Sequence, residues 1–219
     1  SLTTDLVSAL RDEMELAHLL DGTRTAQVEG RPLLALADGT LIRWMIRGMN
    51  NQAVEDELIA RYTEFLEAFR AEEWPLASYI SMPATTEVVN LLRFMGGELE
   101  APAPPDLPEH PEEPALDGLL DRHVFAEMLG AGERSAVFGS TSHIQAAYPP
   151  ETRICYFYLK VPQSVGEGEI GRVELPACVA ECPALVEDCL MSASERVEEA
   201  IEPGSDVLVV PDALNTLLV

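Results

Sequence analysis

Four carboxylates stand out because their surroundings are apolar or strand-like: Asp38, Glu87, Asp121 and Glu174. Asp38 is the most exposed to question. It interrupts the run Pro32-Leu-Leu-Ala-Leu-Ala-Asp-Gly-Thr-Leu-Ile-Arg-Trp-Met-Ile46. A buried acid without a partner costs several kcal/mol, so this one must cap a turn or face something positive, such as a metal ion. Taken together, the four acids suit two-metal phosphodiester hydrolysis. Mg²⁺ and Mn²⁺ prefer hard oxygen ligands. Two such ions ~3.5–4 Å apart activate a water and stabilise the leaving oxygen. Carboxylates gathered this closely raise one another's pKa, so they keep their charge only while the cations are bound.

Each acid also has a plainer reading. Asp-Gly between two apolar runs is a strong signal for a tight hairpin, and taken alone the tripeptide at Asp38 reads that way first. A second Asp-Gly-Thr, at Asp21, closes an amphipathic helix, with Gly22 placed just after its C-terminus. Glu87 falls in the first turn of a helix, where a carboxylate favours the positive end of the dipole. Asp121 follows Asp117 by four residues, a repulsive same-face pair unless a cation lies between. Glu174 alternates with Arg172 along a strand, so the two could point together at water.

Other chemistries find less support. His18 sits on a helix that already explains it, and His110 lies in a proline-rich stretch. His123 and His143 pair with no evident nucleophile. Gly132-Glu-Arg-Ser135 is not a nucleophile elbow, and no phosphate-binding glycine loop follows a strand. Cys155 reads as a small core residue. Cys178, Cys182 and Cys189 lack paired zinc spacing and fit reduced thiols of a cytosolic protein.

The formal net charge of −24, with Lys160 the only lysine, repels polyanions at long range. That counts against a stand-alone nucleic-acid binder, which carries a basic footprint. It leaves room for an acidic pocket offset by divalent ions, or for DNA delivered by a basic partner. No apolar run approaches the ~20 residues of a membrane span. The opening residues lack the basic start of a signal peptide, so the expected setting is the cytoplasm.

Helical spacing appears over residues 4–20, through Leu6, Leu10, Met14, Ala17 and Leu20. A strand pair is expected around Asp38. A helix over 52–70 presents Val54, Leu58, Tyr62, Phe65 and Phe69 on one face and Glu55, Asp56, Glu64 and Glu67 on the other. Leu76–Ile80 is a short strand, and Glu87–Met95 a helix stopped by Gly96-Gly97. Residues 101–114 hold six prolines and four acids, an extended excursion that cannot pack. A helix using Leu116, Leu119, Leu120, Val124 and Met128 follows. Strands are expected at Arg153–Val161, Glu169–Leu175 and Asp206–Val210, with helical character in 184–200 and 212–218. The mixture predicts an α/β or α+β sheet with helices against it.

Several of these segments, in order, resemble the NurA nucleases of DNA end processing. They are Leu36-Ala-Asp-Gly-Thr-Leu-Ile-Arg-Trp44, Ser78-Tyr-Ile-Ser-Met-Pro83 with Glu87-Val-Val-Asn-Leu-Leu-Arg93, and Leu120-Asp-Arg-His-Val-Phe125. Gly132-Glu-Arg-Ser-Ala-Val-Phe138, Cys155-Tyr-Phe-Tyr-Leu-Lys-Val161 and Ile170-Gly-Arg-Val-Glu-Leu-Pro176 continue the series. The likeness runs over residues 30–180 and rests on order and spacing.

The resemblance implies an α/β fold with a ribonuclease-H-like mixed sheet flanked by helices. It divides the chain into an N-terminal helical segment, 1–29, and a nuclease domain, 30–219, carrying the excursion at 101–114. It implies a Mn²⁺-dependent deoxyribonuclease, with Mg²⁺ as the other candidate ion, acting as a 5'-3' exonuclease or endonuclease in double-strand-break repair. It also implies a homodimer working with a HerA-type hexameric ATPase. Carried over by position, Asp38, Glu87 and Asp121 would be the catalytic metal ligands. Arg172, Glu174 and Arg134 would support the site or contact DNA. The family also carries a late Tyr-Pro and Ala-His segment, whose His helps complete the metal site. No such segment follows Val179, where Asp188, Asp206 and Asp212 are the acids of interest. This motivates an alternative expectation, a NurA-like interaction subunit with weak or no turnover that docks an ATPase ring.

Overall fold

A computed structural model describes residues 4–27, 33–46, 52–95, 118–162, 168–187, 189 and 208–211. The Pro-rich segment 101–114, Asp117, Asp188, Asp206, Asp212 and residues 212–218 lie outside these.

Helix α1 (Thr4–Ala26) leads into strand β1 (Leu33–Asp38), a short 3₁₀ turn (Trp44–Ile46) and helix α2 (Gln52–Ala71). Strand β2 (Leu76–Ser81) and helix α3 (Glu87–Met95) follow, then α4 (Asp121–Met128) and the two-residue β3 (Phe138–Gly139). Two 3₁₀ turns precede β4 (Ile154–Val161), which pairs with β5 (Glu169–Pro176); α5 (Ala177–Ala180) and β6 (Leu208–Pro211) complete the described elements. The strands form one sheet in the order β3-β4-β5-β2-β1-β6. β1 runs parallel to both β2 and β6, while β5 is antiparallel to β2 and to β4. This mixed, helix-flanked α/β sheet is compatible with a ribonuclease-H-like fold.

The hairpin expected at Asp38 is not formed. β1 has parallel neighbours on both sides, and its run of aliphatic residues is that of a central strand buried on both faces. Leu34 to Ala37 are all buried. Gly39 adopts φ +78°, a conformation glycine tolerates without penalty. There the chain leaves the sheet instead of doubling back, and the Gly39 amide donates to the Tyr79 carbonyl at 3.1 Å.

Helix α1 also differs from expectation, running through Gly22 to Ala26. Beyond Gly22 the helical chain continues to be tied, with Thr25 Oγ1 donating to the Asp21 carbonyl at 2.9 Å. One glycine costs a helix only ~1 kcal/mol, which packing outweighs. Leu16, Leu19 and Leu20 join Leu58, Tyr62, Leu66 and Phe69 of α2 in one core under Ala35 and Ala37 of β1. α1 therefore shares its core with the sheet domain. Glu55, expected on the solvent face of α2, is buried. No helix among the described residues is long and apolar enough to cross a membrane.

Side-chain alternation sorts the sheet into two faces. Leu34 and Leu36 pack with Ala77, Tyr79, Phe157, Leu159, Val173 and Leu175 on one face. Ala35, Ala37 and Leu76 face α1 and α2 on the other, where Val88, Phe125, Tyr156, Tyr158 and Ile170 form a neighbouring aromatic core with α3 and α4. Arg172 and Glu174 belong to this second, helix-covered face.

Candidate functional site

At the centre of the helix-covered face is a charged cluster. Arg172 is fully buried and Glu174 is 1% exposed. The Arg172 Nε donates to Glu174 Oε1 at 2.9 Å, and its Nη1 donates to Glu87 Oε2 at 2.6 Å. The guanidinium also stacks over the Tyr156 ring, with Cζ 3.7 Å from the centroid. Strand alternation brings Arg172 and Glu174 to one face as the sequence predicts, but helices α3 and α4 seal that face from water. A charge pair this deep survives only with good geometry and further hydrogen bonds, and both carboxylates have them.

Glu174 Oε2 accepts from the Thr40 hydroxyl at 2.9 Å and from the Leu41 amide at 2.8 Å. Glu87 Oε1 accepts from the Ser140 hydroxyl at 2.7 Å and the Thr141 amide at 3.2 Å. Burial pushes the Glu174 carboxyl above the usual carboxylate range, and Arg172, Thr40 and the Leu41 amide pull it back only in part. For Arg172, burial works against the charge, but Glu174 and Glu87 outweigh it and raise the guanidinium further. Among the described residues, Arg172 Nη2 and Ser78 Oγ on this face find no hydrogen-bond partner.

Asp121 is fully buried and committed to structure. Its Oδ1 accepts the Val89 amide at 2.8 Å, and its Oδ2 accepts the Tyr158 hydroxyl at 2.7 Å. Its own amide donates to the Thr85 carbonyl at 2.9 Å. The carboxylate thus lies in the first turn of α4 and at the N-terminus of α3, the positive ends of two helix dipoles. The helix-end reading applied to Glu87 therefore describes Asp121 as well.

Asp38 is placed differently. It is the last residue of β1, exposed, and paired in register with Tyr79 of β2. By alternation its position belongs to the Leu34 and Leu36 face, opposite the charged cluster. The carboxyl ends of parallel strands are where open α/β sheets bind ligands, and β1 and β2 both end here.

The loop after Asp38 is the best-anchored part of the site. The Leu41 carbonyl accepts from the Tyr62 and Tyr148 hydroxyls at 3.0 and 3.3 Å. The Arg43 amide donates to Tyr148 Oη at 3.3 Å, and the Arg43 side chain bonds Asp12 at 3.0 Å while stacking on Tyr62. Sequence reasoning missed Thr40, Tyr62, Tyr148 and Ser140. Tyr62 carries the spacing of any core residue of α2, and nothing near Tyr148 or Ser140 marks them as partners of a distant loop.

The structure thus brings Glu87, Arg172 and Glu174 together, with Asp121 joined to the same face through Tyr158, and leaves Asp38 at the strand end beyond them. Arg134 is elsewhere, paired with Glu187 at 2.7 Å and lying over Phe157. Among the described residues, no three of His, Cys, Asp and Glu gather as a metal-holding group. Arg172 already neutralises Glu87 and Glu174, and both oxygens of Asp121 are hydrogen-bonded. Glu87 is thus engaged by Arg172, Ser140 and Thr141, Asp121 by Val89 and Tyr158, and Asp38 stands at the end of β1.

A family model described as "NurA domain" matches residues 4–202. No curated protein and no solved structure matches the chain.

Proposed function

The chain belongs to the NurA family, nucleases of DNA end processing, and from that premise we propose that it hydrolyses phosphodiester bonds at DNA ends, with Asp38 as the reactive-site carboxylate. The observation that carries this reading is the position of Asp38. It is the exposed member of the expected set, at the carboxyl edge of two parallel strands, within the matched region. A carboxylate there can reach a phosphodiester and its attacking water, which Glu174 and Asp121 in their buried positions cannot. Mn²⁺ dependence, with Mg²⁺ as the other candidate, is part of this proposal on family grounds alone. On the same grounds Asp38, with Glu87 and Asp121, would hold such an ion, which would supply charge stabilisation and an activated water when bound.

A HerA-type ATPase ring and a homodimer are proposed as the working assembly. Family membership supports them, and so does the net charge of −24, which opposes DNA approach unless cations or a basic partner intervene.

The test incubates the protein with end-labelled single- and double-stranded DNA, in Mn²⁺ or Mg²⁺, beside Asp38→Asn. Cleavage by the wild type that the variant lacks supports the proposal. Equal cleavage by both removes Asp38 from the chemistry.

One observation favours a second reading. The guanidinium of Arg172 stands between two of the acids, where a hydrolytic site would keep its carboxylates available. On this reading the chain is an interaction subunit that docks a basic ATPase ring without turnover. Absence of cleavage under every condition, with ring binding that weakens as salt rises, would select it.

A further inference from the structure

We infer that Glu174 and Arg172 are positioning residues that set the conformation of the Asp38 loop and couple it to the start of α3. The inference deepens the nuclease reading above and rests on it for its consequence in catalysis. Three bonds on one carboxylate carry the argument. Glu174 holds the Thr40 hydroxyl, the Leu41 amide and the Arg172 Nε together. The two loop groups lie two and three residues after Asp38, on the far side of the Gly39 turn.

The chain leaves the sheet at Gly39, and the Leu41 and Ile42 amides that follow bond to side chains, Glu174 Oε2 and Thr40 Oγ1, rather than to a strand. The Leu41 amide would be an orphaned buried donor without Glu174. Tyr62 and Tyr148 close the same peptide from its carbonyl side. Residue 41 is therefore held on both its amide and its carbonyl, and the direction in which Asp38 leaves β1 follows from it.

Arg172 extends the tie. Its fork reaches Glu174 with one nitrogen and Glu87 with another, so a single rigid group links the Asp38 loop, β5, the first turn of α3 and the Ser140–Thr141 loop. Lysine, a single point charge, cannot hold two carboxylates in this geometry.

Thr40→Val tests the tie, removing the hydroxyl that Glu174 accepts and that itself accepts the Ile42 amide at 3.0 Å. Glu174→Gln removes the charge at constant size. Amide hydrogen exchange at Leu41 is expected to speed up about tenfold in both variants. In the DNA cleavage assay, Thr40→Val is expected to lower kcat about tenfold or more with KM unchanged, because small displacements of a reacting group are that costly. A general loss of folding would instead lower the active fraction and expose amides across the sheet. Unchanged Leu41 exchange in both variants overturns the inference, as does faster exchange with undiminished kcat. If the wild type cleaves no DNA, the nuclease reading fails by itself, and the exchange measurement alone decides whether Glu174 sets the loop.

Discussion

Asp38 and Glu174 occupy opposite faces of the same sheet, yet Glu174 governs the residues that follow Asp38. The chain crosses from one face to the other at Gly39, and the buried carboxylate receives it through Thr40 and Leu41. An exposed acid on a strand end is thereby fixed by a buried one. The buried acid is in turn balanced by Arg172, which is shared with Glu87.

Removing that cation should be costly. Arg172→Met leaves two carboxylates inside the protein without their counter-charge, and breaking a buried pair from one side costs about 3–5 kcal/mol. Arg172→Lys should recover only part of this, because one ammonium cannot serve both Glu87 and Glu174. Adding Glu174→Gln to Arg172→Met should cost less than the sum of the two changes, since each removes the other's reason to be charged. Urea denaturation of the four proteins measures the cycle. Simple additivity would mean that the two side chains act independently.

Asp121 separates a structural from a catalytic role. It caps α3 from a distance and accepts from Tyr158. Asp121→Ala should lower stability by about 1–2 kcal/mol, chiefly the lost cap on the Val89 amide, since the Tyr158 hydroxyl can turn to Thr85 Oγ1 at 2.7 Å. Asp121→Asn keeps an acceptor for the Val89 amide and should cost about 1 kcal/mol. Denaturation curves and the exchange rate of the Val89 amide are the measurements. Abolished DNA cleavage by Asp121→Asn at wild-type stability would instead make it a member of the reactive site.

Local pattern carried the element types well. The helix at Glu87–Met95 and the strands β2, β4 and β5 follow from apolar spacing and from prolines at their borders. What it could not carry was strand pairing. The run around Asp38 reads first as a hairpin arm, yet a buried parallel strand carries the same aliphatic run and can end at the same glycine. Only the partner strands, contributed by residues 76–81 and 208–211, decide between them. The site divides in the same way. Embedded acids were visible as anomalies in an apolar sequence, but whether a cation, a guanidinium or helix amides would satisfy them depended for the most part on residues 32 to 134 positions away. Asp121 shows this most plainly, since its partners Val89 and Tyr158 flank it from separate elements.

Gly171 should tolerate no side chain. A Cβ there would meet the Tyr79 ring at 2.3 Å, and Tyr79 is buried beside position 38 in the sheet. Gly171→Ala should destabilise the fold by about 1–3 kcal/mol, as overpacking of a tight contact does. Tyr79→Leu in the same chain should return part of that loss by clearing the ring. If the double variant is no more stable than the additive sum, the ring moves aside and the contact does not constrain the strand end.

Stability should also respond to the protonation of Glu174. Burial raises its pKa above the ordinary 4.5, so between that value and the raised one the folded protein holds a proton that the unfolded chain has lost. A group with this sign contributes stability that is complete below its unfolded pKa and declines as pH rises through its folded one. Glu174→Gln removes the titration while preserving size. The difference in unfolding free energy, wild type minus variant, should therefore fall as pH rises from about 4.5 and level off once Glu174 is ionised in the folded state. Equilibrium denaturation at closely spaced pH values measures that difference. A difference that rises over the same range would show that Arg172, Thr40 and the Leu41 amide together overcome burial, placing the Glu174 pKa below 4.5.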